Sequence, residues 1–286
     1  HGQYTHIAGR ITEEENEERM YKLGVQVGEC WPATMYYLFA GLNTIEAGDE
    51  KLVLHYLNRL RSLSEVFDDN FPEVQYHRVK SAMCIKFRKM EEVMKVTDEA
   101  IELAKKSDHI VQLLMIYSFR SMAFSIQEEY AEARNDLDEA EKLLKGFRIP
   151  SGVVKCLIAK CYIEITELKK QPVEKRDGKI LLEVTKELIK NSKKYISNLT
   201  ESYRLRAIVF LLLNKPGKAA RNFDKSIKAA LNYGGKLELS RTYFETGKFL
   251  RNPKNKKERI NGMNATEYLM KAKSMFEEMN LQWDLE

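Results

Sequence analysis

YSFRSMAFSIQEEYAEARNDLDEA, residues 117–140, decides how this chain folds. Tyr117, Ser121 and Phe124 stand at i, i+4 and i+7, one stripe of a helix. After the polar turn EEYAEA, from Glu128 to Ala133, the residues Ala133, Leu137 and Ala140 repeat that spacing on a second helix. The same signature lies forty residues upstream at His77, Ser81, Cys84, Val93, Thr97 and Ala100. Forty further upstream it reads Tyr37, Gly41, Thr44, Val53, Leu57 and Leu60. Downstream it recurs at Tyr203, Ala207, Phe210, Ala219, Phe223 and Ser226. It recurs again at Tyr243, Gly247 and Leu250 and, past an insertion, at Ala265, Leu269 and Ala272. A fixed period of this length marks a repeat array.

The middle position of each first helix is small: Gly41, Ser81, Ser121, Ala207, Gly247. A small residue lets the partner helix approach, whereas a large one holds the axes apart. One helix pair cannot bury both apolar faces, so neighbours must stack. The expected fold is all-α, a right-handed α-solenoid of antiparallel helix pairs running from about Pro32 to Met279. The whole chain, 1–286, reads as a single repeat domain. Residues 1–30 form an N-terminal helical segment and 31–280 about six repeats, with 151–196 divergent. In the divergent unit Lys155, Ala159 and Tyr162 stand for the first helix, and Leu181, Thr185 and Leu188 for the second, with KKQPVEKRDG between them.

The pattern of aromatic, small and large residues followed by alanine, large and alanine resembles the tetratricopeptide repeat. Two features depart from that family: the period is forty rather than thirty-four, and the terminal proline of each unit is mostly missing. Helices about one turn longer per unit account for the period. HEAT and armadillo arrays also repeat at about forty residues, but the placement of the small residues favours the tetratricopeptide reading. The ending ELSRTYFETGKFL … ATEYLMKAKSMFEEMNLQWDLE is similar to the C-terminal arrays of large bacterial signalling proteins: ATPase-type regulators, adenylate cyclases and multidomain kinases. That resemblance implies a regulatory array attached to an output domain. The first residue is His1, so the chain is read as a fragment of a larger protein.

Composition narrows the class. Fourteen glycines and six prolines in 286 residues are few. Pro32, Pro72 and Pro150 can open helices, and Pro172, Pro216 and Pro253 are expected in turns. No apolar run is long enough for a membrane span, so no membrane insertion is expected. Cys30, Cys84, Cys156 and Cys161 lack zinc-ligand spacing; three of them fall on predicted apolar faces and read as reduced core residues in a cytoplasmic protein. Net charge is +5, with basic loops at 169–179 and 251–259 and an acidic run at 13–18. Neither basic loop carries the aromatics that stack on single strands, so nucleic acid is not the expected partner.

No Walker loop, dinucleotide fingerprint, HExxH or GxSxG is present. No cofactor or metal is implied, no catalytic residue is assigned, and the chain is expected not to be an enzyme. The expected function is a protein- or peptide-binding regulatory module of a signalling protein, using the concave groove. The alternative is a small-ligand sensor of the same architecture: an open groove favours the first, a deep polar pocket the second. In the repeat register the groove positions include Gln75, Arg78, Lys86, Met115, Met122, Arg204, Ile208, Arg241, Phe244 and Lys248. Their arginines and lysines suit a peptide bearing acidic groups or a free carboxylate.

Overall fold

Short turns set the architecture of the computed structural model, which describes residues 15–146, 149–172, 178–253, 255 and 257–285. The helices are α1 (Glu15–Val27), α2 (Trp31–Ala47), α3 (Glu50–Phe67), α4 (Asn70–Lys86), α5 (Met90–Lys106), α6 (Ile110–Ile126) and α7 (Tyr130–Gly146). They continue as α8 (Pro150–Lys170), α9 (Lys179–Ser192), α10 (Leu199–Leu212), α11 (Pro216–Tyr233), α12 (Lys236–Arg251), α13 (Ala265–Glu278) and the short α14 (Gln282–Leu285). A 3₁₀ turn, Ile196–Asn198, precedes α10. Pro216, expected in a turn, instead starts α11, where its missing N–H leaves no donor unsatisfied.

The forty-residue period has a backbone cause. Gly48, Asp68, Arg88, Asp108 and Glu128 all take left-handed φ values and fall twenty residues apart. Each half-repeat is a helix of 17 or 18 residues closed by a two- or three-residue turn around one of them. Four of the five carry a side chain, which makes this conformation unfavourable by roughly 1 kcal/mol each. Backbone bonds across the turn compensate: Lys89 N donates to Cys84 O (2.8 Å), His109 N to Ala104 O (2.9 Å) and Glu129 N to Phe124 O (2.9 Å). These are the six-to-one bonds that satisfy the last helical carbonyls.

From α1 to α13, each helix packs on the next. The first helices of the pairs, α2, α4, α6, α8, α10 and α12, also pack on one another in order, and α12 packs back on α2. Six helices thus make a closed inner ring, with α3, α5, α7, α9, α11 and α13 outside it. The sequence reflects the two layers. Outer α5 buries one stripe (Met90, Val93, Val96, Thr97, Ala100, Ile101, Ala104). Inner α6 buries residues all round, including every position from Leu114 to Phe119, as a helix covered on several sides must.

The small positions are tight. A Cβ on Gly41 would lie 3.0 Å from Val79 Cγ1, and one on Gly247 would lie 2.7 Å from Leu269 Cγ and 3.2 Å from Ala265 O. At the seam where the last pair meets the first, a Cβ on Gly48 would run into the Met279 side chain. The array is therefore an all-α helical solenoid, but its concave side is enclosed by the ring rather than open as a groove. Accumulated rotation over six pairs brings α12 back to α2, which the pattern within one repeat does not disclose.

Candidate functional site

A cavity of about 230 Å³ lies inside the ring. Its wall takes Leu42 and Glu46 from α2, Arg78, Ala82, Ile85 and Lys86 from α4, and Met115, Phe119 and Met122 from α6. Lys155, Ile158 and Tyr162 come from α8, Asn198 and Glu201 from the start of α10, and Arg241 from α12. The lining moves from the C-terminal half of α2 to the N-terminal end of α10, so the ring is pitched like a lock washer. That pitch brings the C-terminal ends of α2 and α4 against the N-terminal halves of α10 and α12.

A buried ion network fills this junction. Lys86 Nζ donates to Glu201 Oε2 and Glu238 Oε1, both at 2.9 Å, and lies 3.2 Å from Glu46 Oε1. Arg204 grips Glu238 Oε2 through Nε (3.0 Å) and Nη2 (2.8 Å). Arg241 forks onto Asp284 of α14 at 3.0 and 2.7 Å, and its Nη2 also donates to Lys86 O at 2.7 Å. Tyr162 Oη donates to Glu201 Oε1 at 3.0 Å. Glu238, fully shielded from solvent, is the hub.

Burial pushes the Glu238 carboxyl up, but Arg204, Lys86 and Arg241 outweigh it and hold the group well below the usual range. Burial also opposes the Lys86 charge, and Glu201, Glu238 and Glu46 overcome it, so the ammonium persists far into alkali. Glu46 goes the other way: burial, with repulsion from Glu238 and Glu201, raises it despite Lys86.

Three lining cations, Arg78, Lys155 and Arg88, stand outside this compensation, and Arg88 rests on the Tyr162 ring and hydroxyl. Arg78 makes no ion pair among the described residues, and its buried Nε has no hydrogen-bond partner. Burial alone brings it down to about 10. Lys155 Nζ donates to the neutral Asn198 Oδ1 at 2.9 Å. Burial, then repulsion from Lys86, brings it down to about 8, against the pull of Glu201 and Glu46.

The groove residues expected from the repeat register separate into three groups. Arg78, Lys86, Met115, Met122 and Arg241 line the cavity. Arg204 is buried in the ion network behind it, and Gln75 is buried one turn from Arg78 with both amide atoms unpartnered. Ile208 is buried in the core, Phe244 packs on Phe276, and Lys248 is exposed beside a separate depression with Leu211 and Asn214. The expected run of uncompensated positive charge is corrected at Lys86, Arg204 and Arg241. Each meets a carboxylate contributed by another helix, Glu201 or Glu238 for Lys86, Glu238 for Arg204 and Asp284 for Arg241. Arg204 and Arg241 also pair with Glu201 and Glu238 three residues earlier on their own helices, a local signal that the register overlooked.

The register missed Lys155. Its signal was a lysine at the position that holds tyrosine in most other repeats. The basic loops lie partly outside the described residues, at 173–177, 254 and 256, as does the start of the acidic run, at 13–14. All four cysteines are buried and unpaired, and burial raises their thiols, Cys84 to about 12 and Cys156 to about 11. No described helix is long and apolar enough to cross a membrane.

No family model matches the chain. It is 26% identical over 165 residues to the human (Homo sapiens) protein named "Putative methyltransferase NSUN7". The match takes in 54% of this chain and 23% of that protein, so the chain spans less than a quarter of its relative's length. This likeness overturns the expectation that the chain is not an enzyme, because its relative carries an enzyme's name. The physical reason the expectation fails is that absent motifs exclude only chemistry borne on local motifs. A site assembled from α2, α4, α8, α10 and α12 leaves no motif in the sequence.

Proposed function

We propose that this chain is a ligand-binding repeat module whose inner ring holds a small molecule in its central cavity. One observation carries the reading: a pocket inside the ring with an apolar side and several convergent polar groups, three of them cations without a carboxylate partner. That is the pattern of a binding site rather than of a packing defect, since empty packing voids are apolar. A cavity of about 230 Å³ suits an occupant of roughly ten non-hydrogen atoms, each taking somewhat less than a water's ~30 Å³ share. The tetratricopeptide resemblance supports a regulatory role within a larger signalling protein, and the four unpaired thiols support a cytoplasmic setting.

The test is a thermal-shift screen of small organic acids, amines and neutral compounds on the wild type and on Ala82→Phe, whose ring would occupy the cavity. At a hundred times Kd a ligand stabilises by about 2.7 kcal/mol, a rise of about 4–5 °C at this size. The expected result is a saturable rise in the wild type that Ala82→Phe abolishes while remaining folded by circular dichroism. No rise with any class, or an equal rise in both proteins, refutes the reading.

A second reading rests on the match to the human protein: the chain contributes to methyl transfer, with the cavity receiving a small methyl acceptor, the donor being too large for it. Calorimetry with S-adenosylmethionine, followed by methyl transfer to candidate small acceptors, tests it. Donor binding in both proteins with methyl transfer to a small acceptor lost in Ala82→Phe supports this reading, and no heat at millimolar donor counts against it.

A further inference from the structure

We infer that the cavity selects a carboxylate attached to a compact apolar body, with Arg78 and Lys155 holding the carboxylate; this inference rests on the cavity being a ligand site. The first argument is charge balance. Lys86, Arg204, Arg241, Arg78, Arg88 and Lys155 surround the cavity and the junction behind it, against the carboxylates Glu46, Glu201, Glu238 and Asp284. The carboxylates are all engaged by Lys86, Arg204 and Arg241. The six cations outnumber the four carboxylates by two, and the cations left without a carboxylate partner are Arg78, Lys155 and Arg88; Arg88 is applied to Tyr162, over its ring at 5.6 Å and 3.4 Å from its hydroxyl.

The second argument is unmet bonding capacity. A guanidinium has five N–H donors in a planar fork that matches a carboxylate. Arg78 Nε is buried without an acceptor, and a buried unpaired charge is one of the least favourable arrangements in a protein interior. Lys155 has three donors, and Asn198 Oδ1 takes one. An incoming anion would satisfy both groups and relieve their mutual repulsion. A cation or a neutral amide would not.

The third argument is the apolar wall between these two groups: α6 packs between α4, which carries Arg78, and α8, which carries Lys155, and Lys155 Nζ lies 5.7 Å from the Phe119 ring centroid. Met115, Phe119 and Met122 of α6, with Leu42 and Ile85, offer an apolar surface in which methionine can adapt to different shapes. The matching chemistry is a short aliphatic or aromatic acid, or equally the free C-terminal carboxylate of an apolar peptide. The two sources differ in bulk behind the carboxylate.

The experiment is calorimetric titration of the complete chain with octanoate and 3-phenylpropanoate. Octylamine and octanamide serve as charge-reversed and neutral counterparts. A peptide arm uses Ac-Leu-Leu as the free acid and as the amide. The expected result is that acids bind at least 10-fold more tightly than the matching amides and amine. Arg78→Met and Lys155→Gln should each weaken the acids at least 10-fold and leave the amides unchanged. Two variants at separate helices keep the test informative if one fails to fold. Binding of octanoate but not the peptide acid assigns a free small acid, and the reverse assigns a peptide terminus.

Equal binding of acid, amide and amine, all abolished by Ala82→Phe, would overturn the carboxylate inference while leaving the cavity as a ligand site. Acids that bind equally to wild type and to both charge variants would also overturn it. If no probe binds the wild type, the carboxylate inference falls. If the broader thermal-shift screen is silent as well, the cavity reading falls with it.

Discussion

Replacing Lys155 by methionine should make the unliganded protein more stable at neutral pH. Few proteins gain from losing a lysine that has a hydrogen bond, so the outcome is diagnostic. Methionine keeps most of the stem and removes the charge. The Lys155 amine sits at about 8 in the folded chain against an ordinary 10.5, because burial and Lys86 disfavour its proton more than Glu201 and Glu46 favour it, with Arg78 adding to the repulsion. At ~1.4 kcal/mol per unit, that displacement corresponds to about 3 kcal/mol at most. Lys155 is partly open to the cavity, and the lost bond to Asn198 is worth about 1 kcal/mol, so a net gain of about 1–2 kcal/mol is expected.

The sign follows from proton linkage. Below pH 8 the lysine is charged in both states, and the folded chain carries the whole penalty. Between 8 and 10.5 the unfolded chain holds the proton and the folded chain has released it, so wild-type stability rises with pH. Above 10.5 the penalty is gone. The advantage of Lys155→Met should therefore be full at pH 7, shrink from about pH 8 and vanish by about 10.5. Arg78, displaced in the same direction, contributes to both proteins and cancels in the difference. Urea unfolding of the pair between pH 7 and 10.5 measures this. A variant less stable than wild type at pH 7, or a difference that does not vary with pH, would refute the electrostatic account of the cavity.

Other expectations concern the scaffold. Glu238→Gln strands Lys86, Arg204 and Arg241 without their shared carboxylate and should destabilise by about 3–5 kcal/mol in chemical denaturation; a loss under 1 kcal/mol would mean that water reaches the network. Asp108→Gly relieves a left-handed φ of 53° and should stabilise by about 0.5–1 kcal/mol, seen as a higher urea midpoint. Gly41→Leu and Gly247→Leu overfill helix contacts and should each lose about 1–3 kcal/mol or more; unchanged melting of both would break the packing register.

The helix pairs were legible in the sequence because i, i+4, i+7 spacing is a local property, and Tyr117 to Ala140 carries it within 24 residues. The left-handed turns that set the period were not, since Asp68, Arg88, Asp108 and Glu128 are not the glycines that usually advertise such a backbone. Register alone placed Arg78, Lys86, Met115 and Met122 on the inner surface. It could not pair them, because each partner of Lys86 arrives from a distant helix. Lys155 was placed on a first helix but not on the inner surface, because its repeat has drifted furthest from the shared pattern. The enclosed cavity is a global consequence of six small rotations, invisible in any one unit.

In an open array each unit leans only on its neighbours, and deleting the last one leaves the others nearly undisturbed. Here the hydrogen bonds of Lys86 span 115 and 152 positions of chain, to Glu201 and Glu238. On a ribosome, the amine would have only Glu46 beside it until Glu201 and Glu238 were made. Up to that moment α2 and α4 form one bank of a channel with no opposite bank. A chain ending anywhere before Glu238 should therefore retain helices and local pairs yet possess no interior. The capacity to enclose a molecule is then a property acquired all at once, when α12 has been made, which makes it a built-in report that the polypeptide is intact from α2 through α12.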